Sequence, residues 1–339
     1  MRGGKLTCMG SASDGGVNSF KLAHWNKTKT SFNMSGGSVY LENRLCLCIN
    51  GTGHFNMSGG TLEALGVCLN GRESVGGMGY MEMTGGTLKL RGVSSLHADW
   101  YDNKTKEQAY EARLGGAGSP TIYGFFEIQA TAALTGQTSV EAVNFEVPYH
   151  ASKAAYLKRD LTGEGGFNKT GQGTLFVGTT LSCSGAVRVV QGGLKFETGR
   201  DNAMTNALIE ICSGGVLSYN GTKQKFGGLT ASRGDWTVPN DITFVAAPRY
   251  LVEPVTTADG ATVHAVTFPG DVDLSSWTVC GMPSLTNLNT DVAYVIARSA
   301  SGKLSGKPRM QDIPKPWRAE VEDGVLKLKG RRGLFLMIR

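Results

Sequence analysis

A short phrase is written three times near the start of this chain: FNMSGGS at 32–38, FNMSGGT at 55–61 and MEMTGGT at 81–87. A recurrence every two dozen residues or so, roughly, is the signature of a repeat architecture, in which each copy is one unit stacked on the last. Phe32 and Met34 alternate with Ser31, Asn33 and Ser35, so two apolar side chains share one face of a strand. Gly36-Gly37 is expected to break that strand, because paired glycines reach backbone angles closed to other residues. Val39 and Leu41 then resume the alternation, as Leu62 does after Gly59-Gly60 and Leu88 after Gly85-Gly86. Strand, diglycine corner and strand make one coil of a β-solenoid, and such coils must stack because a lone hairpin is marginal in water.

The rest of the chain suits this reading. It carries 48 glycines in 339 residues, about twice the usual share, without the triplet period or heavy proline of collagen. A hydrophobic content of 40% is enough to bury a core, and little of it recurs at helical spacing. Residues 1–30 read as an N-terminal coil or frayed end, and 31–290 as the solenoid. Residues 97–118 read as a polar insert projecting from a corner, and 148–161 as a second, helical excursion. From 291 to 339 the pattern becomes a basic β-meander, with a tight-hairpin signal at Asp323-Gly324 and a last strand at 334–338. That meander is expected to cover the last coil, whose open edge would otherwise recruit other chains. No apolar run is long enough to cross a bilayer, and the first residues hold no apolar stretch of the signal-peptide kind.

The segment Gly166–Gly199 carries Lys169-Thr170-Gly171-Gln172-Gly173-Thr174-Leu175, then Val187 and Val189, then Gly192-Gly193-Leu194-Lys195-Phe196. It resembles the autotransporter-associated β-strand repeat, whose form is a Lys-Thr-Gly-x-Gly-Thr-Leu opening, a middle turn and a Gly-x-Leu close. The middle departs from the pattern, with Cys183-Ser184-Gly185 where members often carry Asn-Thr-Tyr-Thr-Gly. The resemblance implies a right-handed parallel β-helix in a secreted or surface-displayed bacterial protein, as an autotransporter passenger is. It also implies a membrane β-barrel, whose series of alternating ten-residue strands is not read in this sequence.

Candidate sites are sparse. Trp100 and Tyr101, on the polar insert, are the candidate glycan-binding residues, since exposed aromatics stack on sugar rings. A glycosidase would need two carboxyls flanking the scissile bond, and a solenoid would place them on neighbouring coils. Glu63 with Glu82, Glu210 with Asp235, and Asp271 with Asp273 are the pairs to test, against the alternative that all are solvated surface acids. Cys46, Cys48 and Cys68 read as buried thiols rather than metal ligands, lacking the usual CxxC spacing. Arg233-Gly234-Asp235 reads as a turn. Of seven Asn-x-Ser/Thr sequons, at Asn26, Asn33, Asn50, Asn56, Asn103, Asn168 and Asn220, Asn33 and Asn56 occupy one strand position in successive coils. They are expected to form an amide ladder, with Glu82 next in line.

The whole net charge of +6 sits in residues 301–339, where the cations alternate with apolar residues as on the wet face of a sheet. Aromatics are too few there for base stacking, so no nucleic-acid partner is expected. Neither a cofactor nor a metal nor a catalytic residue is assigned. The sequence points to an all-β, right-handed parallel β-helix with a small C-terminal antiparallel β cap. Its expected role is a non-enzymatic extracellular or cell-surface passenger, spacer or adhesin-like scaffold, with glycans or other surface molecules as partners. A polysaccharide-degrading β-helix enzyme and a glycan-binding module are the alternatives.

Overall fold

The computed structural model describes residues 1–9, 20–23, 28–48, 51–70, 78–92, 96–99 and 110–330. The protein is all-β. Among the described residues helix is confined to two short 3₁₀ segments, Leu274–Ser276 and Pro283–Asn287. The chain divides into two compact units, Met1–Ala203 with Gly214–Lys223, and Met204–Ser213 with Gln224–Arg339.

The first unit is a parallel β-helix. One side stacks β1 (Lys5–Cys8), β2 (Lys29–Leu41), β3 (Thr52–Ala64), β4 (Met78–Leu90) and β5 (Tyr110–Gly124), each parallel to the next. It continues through β6 (Val143–Glu146), β7 (Phe167–Thr170) and β8 (Ala186–Phe196). Shorter strands at Leu45–Cys46, Val67–Asn70, Leu96–Asp99, Glu127–Gln129, Ala155–Leu157 and Thr174–Val177 make a second parallel ladder. The apolar positions read from the sequence become vertical columns. Met34, Met57, Met83 and Leu114 form one column, and Val39, Leu62, Leu88 and Ile122 another. All eight side chains are buried. Phenylalanines pack along the same interior, Phe32 stacked on Phe55 at 5.8 Å and Phe145 edge-on to Phe167 at 5.2 Å between centroids.

The diglycines do not end the strands. β2, β3 and β4 run through them, and the ladder slips register there instead. Gly37, Gly60 and Gly86 adopt φ of +77°, +84° and +79°, which lets the chain bend like a bulge. The stacking adds a steric demand of its own. A Cβ on Gly60 would lie 2.7 Å from the Gly37 carbonyl oxygen, and one on Gly86 2.9 Å from that of Gly60.

Two other expectations are corrected. The stretch 97–118 is no insert at its ends, because Leu96–Asp99 and the whole of β5 belong to the ladders; residues 100–109 lie outside the described residues. Residues 148–161 hold no helix. Ala155–Leu157 is a strand there, with Ala155 and Leu157 buried, so the alternation of a rung outweighs the helix-forming composition.

The second unit holds β9 (Lys225–Thr230), β10 (Thr243–Val252), β11 (Val266–Phe268), β12 (Thr278–Gly281), β13 (Ala293–Ser299), β14 (Arg309–Gln311), β15 (Trp317–Glu322) and β16 (Val325–Gly330). β9, β10, β12 and β14 form a parallel ladder in that order. β11 pairs parallel with β13, and β16 lies antiparallel between β13 and β15. Asp323 and Gly324, with φ of 55° and 76°, make the tight turn their sequence signals. The strand expected at 334–338 lies outside the described residues.

Substituting Gly60 tests the column. Gly60→Ala should lose about 1–2 kcal/mol for left-handed backbone alone, and more for the clash with Gly37. Gly3→Ala, at a site with nothing within 4 Å of the added carbon and no positive φ, should change stability by less than about 0.5 kcal/mol. Denaturant melts of the two variants make the comparison.

Candidate functional site

Outward side chains of a parallel stack repeat every rung, so like residues meet and satisfy one another. On the outer face of β2–β5, Asn33, Asn56, Glu82 and Arg113 share one column. Asn56 Nδ2 donates to Asn33 Oδ1 at 2.7 Å, the amide ladder expected from the sequence. In the next column the His54 ring lies on Tyr80, 4.4 Å apart and 3° from parallel. A groove of about 360 Å³ runs along this face, lined by Asn33, Ser35, Asn56, Ser58, Glu82 and Thr84 among others. It is the first candidate for a ligand site, and Glu82 is the one carboxylate in its lining.

The register separates the first candidate pair of carboxylates, and those of the other two pairs are bonded within the fold. Glu63 is in register with Tyr40 and Lys89 rather than with Glu82, and lies 3.5 Å from Arg91 Nε. Glu210 is fully buried and accepts hydrogen bonds from the Ser232 and Arg233 backbone N–H groups at 2.8 and 2.7 Å, and from the Ser232 hydroxyl at 2.7 Å. Asp235 accepts from the Ala265 N–H at 2.8 Å, pairs with Arg298 at 3.2 Å, and sits 3.5 Å from His264 Nδ1. Both carboxylates bear on Tyr250, whose ionisation is driven up by burial first and by their charge second. Arg233-Gly234-Asp235 is thus a tethered turn, with its aspartate engaged internally. Asp271 accepts from the Lys303 N–H at 2.7 Å. Asp273 caps the first 3₁₀ turn through Ser275, and those hydrogen bonds hold its pKa below the usual value.

Aromatic stacks use up their own faces. Tyr156 lies on Phe176 at 4.9 Å, with the Lys158 ammonium 4.6 Å from the Tyr156 centroid and Lys195 5.6 Å from that of Phe176. Lys158 also reaches Glu197 at 2.5 Å. That bridge passes over Gly178, where a Cβ would lie 2.5 Å from the Glu197 carboxylate. Trp100 and Tyr101 lie outside the described residues, as do Asn26, Asn50 and Asn103. In the second unit a cleft of about 420 Å³ has Phe244, Phe268 and Trp277 in its wall, rings that pack edge-on against each other at 5.1 and 5.6 Å.

A second ladder went unread in the sequence. Asn168 Nδ2 donates to Asn144 Oδ1 at 2.9 Å and to the Ser139 carbonyl at 3.0 Å, and Asn144 Nδ2 reaches Ser119 Oγ at 3.1 Å. Asn168 is fully buried, which closes its sequon to a glycan. The signal was the recurrence of Asn at 144 and 168, hidden because the flanking residues differ. Beside it, Lys169 takes an inward place in the column of Ile122, Phe145 and Val189. Its ammonium donates to the carbonyl oxygens of Thr170, Gly171 and Gln191 at 2.7, 2.8 and 3.0 Å, the first of which also accepts from the Val147 N–H at 3.1 Å. Burial pushes its pKa down to about 8, with the Glu146 charge pulling the other way. The cysteines are free thiols: Cys46 and Cys68 are buried in register, Cys48 donates to the Gly51 carbonyl at 2.8 Å, and burial pushes Cys183 up to about 12.

Lys169 makes stability depend on pH in a stated direction. Its folded pKa lies below the unfolded value of 10.5, so between about 8 and 10.5 the unfolded chain holds the extra proton. Unfolding free energy should therefore rise with pH across that window in the parent chain. The rise should be smaller in Lys169→Met, as pH-resolved denaturant melts will read.

No helix among the described residues is long and apolar enough to cross a membrane. No family model, no curated protein and no solved structure matches this chain.

Proposed function

We propose that this chain is a non-enzymatic β-helix of the autotransporter-passenger kind, exported to the cell surface or beyond, where it serves as spacer, passenger or adhesin-like scaffold. The observation that carries the reading is what five of the six candidate acids are used for, Glu82 in the groove being the sixth. Glu63, Glu210, Asp235, Asp271 and Asp273 each hold a cation or a backbone N–H, whereas glycoside hydrolysis wants two carboxyls aimed at one bond. The Lys-Thr-Gly opening gives further support. Lys169 ties the corner of its own coil, at Thr170 and Gly171, to Gln191 of the next, as expected of a motif that specifies architecture. A parallel stack suits a spacer, since each added coil lengthens it by about 4.8 Å without altering its neighbours.

The test is incubation of the purified chain with a panel of neutral and acidic polysaccharides. No reducing or unsaturated ends should appear; sustained sugar release would sink the scaffold reading in favour of the enzyme. In parallel, Glu210→Gln should lower stability by about 1–3 kcal/mol, because it weakens a buried charged acceptor of three hydrogen bonds. Thermal and denaturant melts check that cost.

A further inference from the structure

The C-terminal hairpin settles its own charge. Arg318 pairs with Glu320 at 3.2 Å, Lys327 with Glu322 at 2.7 Å and Asp323 at 3.5 Å, and Lys329 with Glu320 at 3.1 Å and Glu322 at 2.7 Å. Those two lysines hold the Glu322 carboxyl down at about 2. The segment just before it behaves differently. Lys303, Lys307, Arg309 and Lys315 are all exposed, and among the described residues none of the four forms an ion pair. Two carboxylates lie nearby without forming an ion pair with them: Asp271 accepts from the Lys303 N–H and Asp312 from the Gln311 amide, while Asp323 pairs with Lys327. The hairpin's own charges balance, so among the described residues the basic excess lies in residues 303–315, four cations against Asp312.

Its layout is that of a surface for an extended anion. Lys307 and Arg309 flank the buried Pro308, so in an extended chain they project to one side, roughly 6–7 Å apart. Arg309 shares a column with Thr278 and Arg249. Exposed Ser301, Ser305 and Gln311 stand among the cations and offer hydroxyl and amide partners. Ring faces for stacking nucleobases are missing here: Trp317 is buried and packs on Tyr294. For insertion into lipid the segment offers Met310, 48% exposed, with no aromatic beside it. We infer that residues 303–315 bind an acidic polysaccharide, a polyuronate or sulfated glycan, through Lys303, Lys307, Arg309 and Lys315.

This rests on the surface-scaffold reading for the kind of polymer met, and the experiment separates the two. The full chain is titrated with polygalacturonate, with neutral dextran, with phosphatidylserine vesicles and with single-stranded DNA, at low and high salt. Polygalacturonate should bind, and lose about tenfold or more in affinity as salt screens the contacts. The triple variant Lys303→Gln, Lys307→Gln, Arg309→Gln should lose at least about tenfold at low salt. Arg159→Gln, an exposed cation of the first unit, should bind like the parent. Equal binding by the triple variant, or capture of vesicles or DNA in preference to polygalacturonate, overturns the inference. Absence of polygalacturonate binding without sugar release overturns the patch alone, whereas release of sugar overturns the scaffold reading.

Discussion

Everything in the first unit depends on one backbone lying directly above another at the bend of each coil. Parallel strands hold that spacing by hydrogen bonds, and the bends must obey it too. At Gly37, Gly60 and Gly86 the chain takes positive φ with the preceding carbonyl so close that a side chain would collide with it. Both reasons for glycine act at once. The left-handed angle alone tolerates asparagine in many proteins, but a column of such angles at rung spacing does not. At Gly53 and Gly79 the steric reason acts alone, and across the coil interior: a Cβ would fall 1.6 and 1.7 Å from the Leu47 and Leu69 carbonyl oxygens.

Much of this was legible because stacking copies local pattern into three dimensions. Phe32, Phe55 and Met81 sit at the same place in three phrases and therefore in one column. Asn33 and Asn56 were paired on the page before their amides were seen to bond. The continuity of strands through the diglycines was not legible, because composition does not distinguish a bulge from a break. That distinction lies in whether the neighbouring rung bends in the same place, and here it does. Nor could the helix-like composition of 148–161 reveal that Ala155 and Leu157 face the core.

The site was less legible than the fold for a related reason. Spacing places residues on rungs but not in columns, since the coils differ in length. Glu63 and Glu82 seemed candidates for neighbouring positions, yet register sets Glu63 between Tyr40 and Lys89, and Glu82 between Asn56 and Arg113. The role of Lys169 was hidden differently. A lysine at an inward strand position violates the binary pattern, and the violation is resolved only when its ammonium meets three carbonyl oxygens at the corner.

A ladder architecture also sharpens what an unmatched group means. Where rungs repeat, outward side chains find partners on rungs above or below: amide on amide at Asn33–Asn56, ring on ring at Tyr156–Phe176, and ammonium on carboxylate at Lys158–Glu197. Such a face needs no outside molecule, and each contact it makes internally must be given up before a ligand can take its place. The antiparallel hairpin achieves the same diagonally, Lys327 reaching Glu322 and Lys329 reaching Glu320 and Glu322. Lys303, Lys307 and Lys315 lie in the links around strands two or three residues long, where no rung faces them, and the rung beside Arg309 presents Thr278 rather than a counter-charge. Their ammonium and guanidinium groups remain hydrated and open to an anion, which can bind there without first breaking a bond within the protein.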